Sequence, residues 1–146
     1  MHLTQYTDYS LRVLIYLALK QGDQLSNIKE IANHYHISHN HLMKVIYQLG
    51  KLGLVETIRG RSGGIRLALE PEQINIGQVV RRTEEGFVIV ECFDPTKNRC
   101  KLSANCQLQS ILHEALAAFL HVLDRYNLAD LVQNKDSLLL LLHGER

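Results

Sequence analysis

Three cysteines fall within fifteen residues, in the stretch CFDPTKNRCKLSANC from Cys92 to Cys106, and the chain has no others. Their spacing is C-x7-C-x5-C. Thiolates are soft ligands, so such a group suits an iron–sulfur cluster, zinc or copper(I). Structural zinc sites favour cysteine pairs roughly two to four residues apart. Gaps of seven and five are too wide for that knuckle, whereas a polynuclear cluster spans more space. The spacing therefore leans towards iron–sulfur and leaves zinc open. A redox switch is a second reading, because Lys97, Arg99 and Lys101 would raise thiol reactivity. Inert burial is a third, and a charged loop carrying the turn formers Pro95 and Asn98 disfavours it.

A cluster normally takes one more protein donor than three cysteines supply. The remaining donor must be Asp, Glu, His or a residue of another chain. Asp94 and Glu85 are the local candidates. His113 and His121 are weaker, since histidines on helices are usually solvated or structural. Asp8 lies far away, at the start of the first helical pattern. From the residues alone it reads as a cap or first-turn carboxylate that satisfies free amides.

The rest of the chain must position this loop. Residues 7–20 have Leu11, Leu14, Ile15 and Ala18 at helical spacing, with Thr7 or Asp8 as cap and Gly22 as terminator. Residues 27–35 form a second helix capped by Ser26. After the break at His36-Ile37, residues 39–52 form a third, capped by Ser38, with Leu42, Val45, Ile46, Leu49 and Leu52 on one face. Two short amphipathic helices with a tight turn make a helix–turn–helix, whose second helix enters the major groove of DNA. His39, Asn40, His41, Lys44, Gln48 and Lys51 occupy its other face, and the first four lie at the end that reaches base edges.

Two strand-like runs come next, Leu54–Ile58 and Ile65–Leu69, joined by RGRSGG at residues 59–64. This reads as a β-hairpin wing. Arg59, Arg61, Ser62, Gly63 and Gly64 lie at its turn, placed to meet phosphates or a narrow minor groove. From Lys44 to Arg66 there are five basic residues and one acid, Glu56. Residues 1–82 carry a net +4 and residues 83–146 a net −3, so a polyanion would dock on the N-terminal half.

Residues 75–83 predict a helix capped by Asn75, and residues 84–91 are ambiguous between turn and extended chain. Residues 104–126 form the longest periodic run. Leu108, Leu112, Ala115, Phe119, Val122 and Tyr126 make an a/d seam. So apolar a helix in so small a chain predicts a two-fold dimer. The tail from residue 128 is leucine-rich and should complete the apolar packing. The expected class is mainly α with a small β-hairpin: a winged helix–turn–helix domain over 1–83, a cysteine loop over 84–107, a dimerisation helix over 108–127, and a helical tail over 128–146 packing on the DNA-binding domain. Nothing resembles a signal peptide or transmembrane span, which predicts a cytoplasmic protein. No Ser/His/Asp arrangement, nucleotide loop or HExxH motif is present, so an enzyme is not expected.

Three stretches carry a family resemblance: LTQYTDYSLRVLIYLA near the start, LSNIKEIANHYHISHNHLMKVIYQLGKLGLVETIRGRSGGIRLA through the wing, and INIGQVVRRTEEGFVIVECFD leading into the cysteines. Over essentially its whole length the chain resembles the NsrR nitric-oxide-sensing repressors, part of the winged-helix iron–sulfur regulator family that also contains IscR. The order of the cysteine gaps supports this, since IscR-type members look reversed, with the shorter gap first. The resemblance implies a homodimeric repressor of nitric-oxide detoxification genes that binds double-stranded operator DNA. It implies an iron–sulfur cluster, 4Fe–4S in preference to 2Fe–2S, whose reaction with nitric oxide abolishes that binding. Cys92, Cys100 and Cys106 match the cluster cysteines. Asp8, in the matching TDYSLR motif, becomes the expected fourth ligand, donated by the opposite subunit. Two alternatives remain: an iron- or redox-sensing iron–sulfur regulator, and a zinc or thiol-switch DNA-binding protein without a cluster.

Overall fold

A computed structural model describes residues 1–20 and 22–144. The element order is α1 (Gln5–Leu19), α2 (Ile28–Tyr35), α3 (His39–Lys51), β1 (Val55–Ile58), β2 (Gly64–Leu67), α4 (Ile76–Thr83), α5 (Gln107–Asp124) and α6 (Lys135–His143). Short 3-10 turns lie at 71–73, 91–93, 103–105 and 129–132.

The core forms where the apolar stripes of the first four helices meet. Val13, Leu14 and Leu17 of α1 pack with Ile31 of α2, with Leu42, Val45, Ile46 and Leu49 of α3, and with Ile76 and Val79 of α4. β1 and β2 pair antiparallel, from Val55 opposite Leu67 to Ile58 opposite Gly64. Ile65 turns inward from the hairpin and Leu128 arrives from beyond α5, and both are buried in the same core. Leu128 is held there by its amide, which donates to the Ile74 carbonyl at 2.8 Å. α5 lies against α4, where Arg81 forms an ion pair with Asp124.

Several expected boundaries shift. Thr4, rather than Thr7 or Asp8, caps α1, and its hydroxyl accepts from the Thr7 amide. α1 closes at Leu19 with Lys20 as cap, ahead of Gly22. Asn27, rather than Ser26, caps α2. Ser26 is drawn instead onto the hairpin, exchanging hydrogen bonds of 2.8 and 2.9 Å with Ile65. Each strand is slightly shorter or earlier than the hydropathy runs suggest, because Leu54 and Leu69 lie outside the ladder. Residues 84–90 contain no strand and run irregularly, with bends at 84–85 and 89–90, to the 3-10 turn at 91–93. The long helix begins at Gln107, since residues 103–105 form a separate turn. Ser38 and Asn75 cap α3 and α4 as expected. In the tail, Leu131 and Leu142 pack against the core, whereas Leu140 and Leu141 face solvent in this single chain. The last two tail residues lie outside the described residues. No described helix is long and apolar enough to cross a membrane.

Candidate nucleic-acid interface and cysteine loop

The start of α3 is fixed by Ser38, whose hydroxyl accepts from the His41 amide at 3.2 Å. Burial of Leu42, Val45, Ile46 and Leu49 then turns the opposite face outward. His39, Asn40, Lys44, Gln48 and Lys51 are exposed there, as their spacing requires. His41 departs from that pattern. It is half-buried, with its ring edge-on to Tyr9 of α1 at a centroid distance of 5.0 Å. Two residues missed by the sequence reading take its place on the open face: Met43 and Tyr47 are 48% and 62% exposed. Their only signal in the sequence is position, one turn apart and off the buried stripe, and their apolar character masks it. The Lys51 ammonium sits 4.8 Å from the centre of the Tyr47 ring.

Beside α3, the wing turn presents Arg59, Arg61 and Ser62 to solvent. Gly60 has φ 112°, a left-handed backbone that strongly favours glycine. Gly63 and Gly64 are needed for close approach. A Cβ on Gly63 would collide with the Ile58 carbonyl, and one on Gly64 would lie 2.7 Å from the Ser26 oxygen. Arg66, counted in the basic run, is engaged internally by Glu56 at 2.9 Å and Asp23 at 3.6 Å. Lys44, Lys51, Arg59 and Arg61 have no acidic partner among the described residues, and α3 contains no acid. The surface is therefore a stripe of uncompensated positive charge.

The last turn of α4 ties this surface to the cysteine segment. Arg82 donates to the Leu52 carbonyl at 2.8 Å, capping the C-terminal end of α3. Two residues later, the Glu84 carboxylate accepts from the Thr4 amide at 2.8 Å and the Thr4 hydroxyl at 3.0 Å, at the N-terminus of α1. Burial opposes ionisation of Glu84, but hydrogen bonds from Thr7 and Thr4 outweigh it and hold the carboxyl below its ordinary value.

The cysteine loop starts from that junction. Cys92 and Cys106 are half-buried, Cys100 is exposed, and all three are free thiols. Local hydrogen bonds shape the loop. The Asp94 carboxylate accepts from the Thr96 hydroxyl at 2.6 Å and amide at 3.0 Å, and these bonds hold it below the usual carboxylate range. The Cys100 amide donates to the Asn98 side chain, Ser103 bonds both Asn98 and the Cys100 carbonyl, and Gln109 reaches back to the Cys92 carbonyl. His113 stacks on Phe93 at 3.8 Å.

Sequence proximity does not gather the donors. Among the described residues no three His, Cys, Asp or Glu side chains lie close enough together to hold a metal ion. Asp8 is in the first turn of α1 but is not its cap, and its carboxylate is engaged by Arg12 of the same chain. Glu85 and His121 are exposed and away from the thiol loop's hydrogen bonds.

The family model for Rrf2, described as an iron-dependent transcriptional regulator, matches residues 3–134. The chain belongs to the Rrf2 family. Within that family it is 64% identical over 142 residues to the HTH-type transcriptional regulator NsrR of Bacillus subtilis, covering 97% of each chain. It is 54% identical to NsrR of Geobacillus kaustophilus, covering 100% of this chain and 99% of the other. Among solved structures it is similar to CymR, the global cysteine regulator of B. subtilis, at 29% identity and a TM-score of 0.71, covering 92% of this chain and 98% of that one. It is likewise similar to T. potens IscR at 25% identity and a TM-score of 0.73, covering 92% and 88%. The described residues form six α-helices and a two-stranded hairpin, and the chain is similar in fold to these regulators over about nine-tenths of its length, so the fold read from the sequence stands.

Proposed function

We propose that this Rrf2 protein is a dimeric, nitric-oxide-responsive repressor, in which α3 and the wing bind operator DNA and the cysteine loop holds an iron–sulfur cluster. The observation that carries the reading is the α4 junction. The turn that caps α3 through Arg82 and anchors α1 through Glu84 also leads into the segment bearing three free thiols. The NsrR name of relatives up to 64% identical supports the choice of signal.

The donor set suits a cluster in type and number only if another group completes it. Cys92, Cys100 and Cys106 would be the thiolate ligands. The resemblance to NsrR proteins makes Asp8 of the partner subunit the preferred remaining ligand, ahead of Asp94, whose carboxylate already accepts from Thr96. A bound cluster, 4Fe–4S in preference to 2Fe–2S, would supply iron that reacts with nitric oxide. The loop must close to bring the three thiols together, and Asp8 must leave Arg12 to serve a neighbouring chain. Closing the loop pulls on residues 84–91, whose first member holds Thr4. Reorienting α1 and α4 in this way alters how far apart the two α3 helices of a dimer lie, and that spacing must match the half-site spacing on DNA.

The dimer itself is supported by the exposed seam of α5. Leu108, Ile111, Phe119 and Val122 of α5, with Tyr126 just beyond its end, all face solvent in the single chain. An apolar row of this length is best covered by a second copy.

The test is anaerobic purification followed by spectroscopy and gel shift. The reading requires brown protein whose visible absorbance and operator binding are both lost on adding nitric oxide. Colourless, zinc-loaded protein with unchanged binding would rule it out. Brown protein that ignores nitric oxide but responds to iron depletion would favour the iron-sensing alternative.

A further inference from the structure

The exposed face of α3 is not uniformly polar. Met43 and Tyr47 stand one helical turn apart, 48% and 62% exposed, and form an apolar strip through its middle. Asn40 precedes the strip, Lys44 stands beside it and Lys51 follows it one turn on, with the Lys51 ammonium over the Tyr47 ring. No acid occurs anywhere in α3, and the hairpin whose exposed turn carries Arg59 and Arg61 packs against α3 through β1. An apolar strip enclosed by cations suits a polyanion that also displays apolar groups. In the major groove of DNA the only such group on a base edge is the C5-methyl of thymine. His41, expected on this face near its N-terminal end, is half-buried against Tyr9 instead.

We infer that Met43 and Tyr47 are specificity-determining residues that take thymine methyl groups in each operator half-site. Lys44, Lys51, Arg59 and Arg61 fix the register by contacting phosphates, and His39 and Asn40 contact the neighbouring base pairs. The inference rests on the DNA-binding reading above and adds which base the centre of the helix selects.

The probe is a duplex recovered by repeated selection from a random-sequence library with the anaerobically purified full-length protein. Each thymine of that duplex is then replaced singly by deoxyuridine, which removes only the methyl group. At one or two positions per half-site, affinity should fall about fourfold, the worth of one buried methyl. Met43→Ala and Tyr47→Ala should each bind the parent duplex more weakly and lose the difference between thymine and uracil at one of those positions. Tyr47→Phe should keep it. Both sites are on the surface of a helix that favours alanine, so circular dichroism should be unchanged. A selected duplex whose deoxyuridine derivatives all bind equally well would overturn the inference while leaving DNA binding intact. So would alanine variants that retain the full methyl effect. Failure to recover any duplex would overturn the DNA-binding reading itself.

Discussion

The Asp8 carboxylate accepts two hydrogen bonds from Arg12, at 3.0 and 2.7 Å, one turn along the same helix. Both side chains are more than two-fifths exposed, so the pair contributes only a few tenths of a kcal/mol to the fold, about 0.3–0.5. A carboxylate held this weakly is free to exchange partners. Asp8→Ala should therefore leave thermal stability within about 1–2 °C of the parent for a chain this long. It should nonetheless alter the visible spectrum and the nitric-oxide response of the cluster-loaded protein. An unchanged spectrum and response would remove Asp8 from the ligand set.

Arg59 and Arg61 project from the wing without an acidic partner among the described residues. If each meets a phosphate, replacing either by alanine should weaken binding to specific and nonspecific duplexes alike. It should also reduce the slope of log affinity against log salt by about 1 per arginine. Titration by fluorescence anisotropy at several salt concentrations measures this directly. Arg66→Ala behaves differently, because Arg66 is bound to Glu56 and Asp23: the salt slope should stay unchanged.

The α5 seam predicts the assembly. Ile111 and Phe119 are exposed and lie outside the single-chain core. The charged substitutions Ile111→Glu and Phe119→Glu should yield folded monomers by analytical ultracentrifugation, with operator affinity lost because two half-sites are no longer engaged together. Retention of a dimer in the double variant would place the interface elsewhere.

Tyr16 is buried in the core with its hydroxyl donating to Glu30, which also accepts from Lys20 at 3.2 Å. Burial and the bond to Glu30 push the Tyr16 phenol well above its ordinary value. The Tyr16 bond in turn holds the Glu30 carboxyl below the usual glutamate value, with burial opposing and Lys20 assisting. A lowered folded-state value means that Glu30 stabilises the fold above its unfolded value, near pH 4 to 5, and loses that contribution as pH falls through the folded one. Tyr16→Phe should cost about 1–2 kcal/mol at neutral pH. It should also flatten the stability decline in the acid range, as read from urea melts at pH 7 and at pH 3.5.

Gly64 allows the hairpin to lie against Ser26. Its missing side chain leaves room for the Ser26 oxygen 2.7 Å and the Leu25 Cβ 2.9 Å from where a Cβ would sit. Gly64→Ala should cost about 1–3 kcal/mol, the usual penalty of overpacking. Because Ser26 leads into α2, it should also lower DNA affinity by displacing the wing relative to the helix pair.

Local pattern was enough to read most of the elements, because helix periodicity, the caps Ser38 and Asn75, and the glycines of the wing turn act within a few residues. The class of the chain and its three cysteines were legible for the same reason. Tertiary contacts decided the rest. Ser26 pairs through its backbone with Ile65 while Asn27 caps α2, and His41 lies half-buried against the Tyr9 ring instead of on the open face of α3. Leu128 joins a core built largely from the first eighty residues because Ile74 satisfies its amide. Above all, a spacing of cysteines along the chain states which ligands are available but not whether they converge. Convergence depends on the loop's own hydrogen bonds and on the α4 turn that joins loop to helices through Glu84 and Thr4, eighty residues apart in sequence.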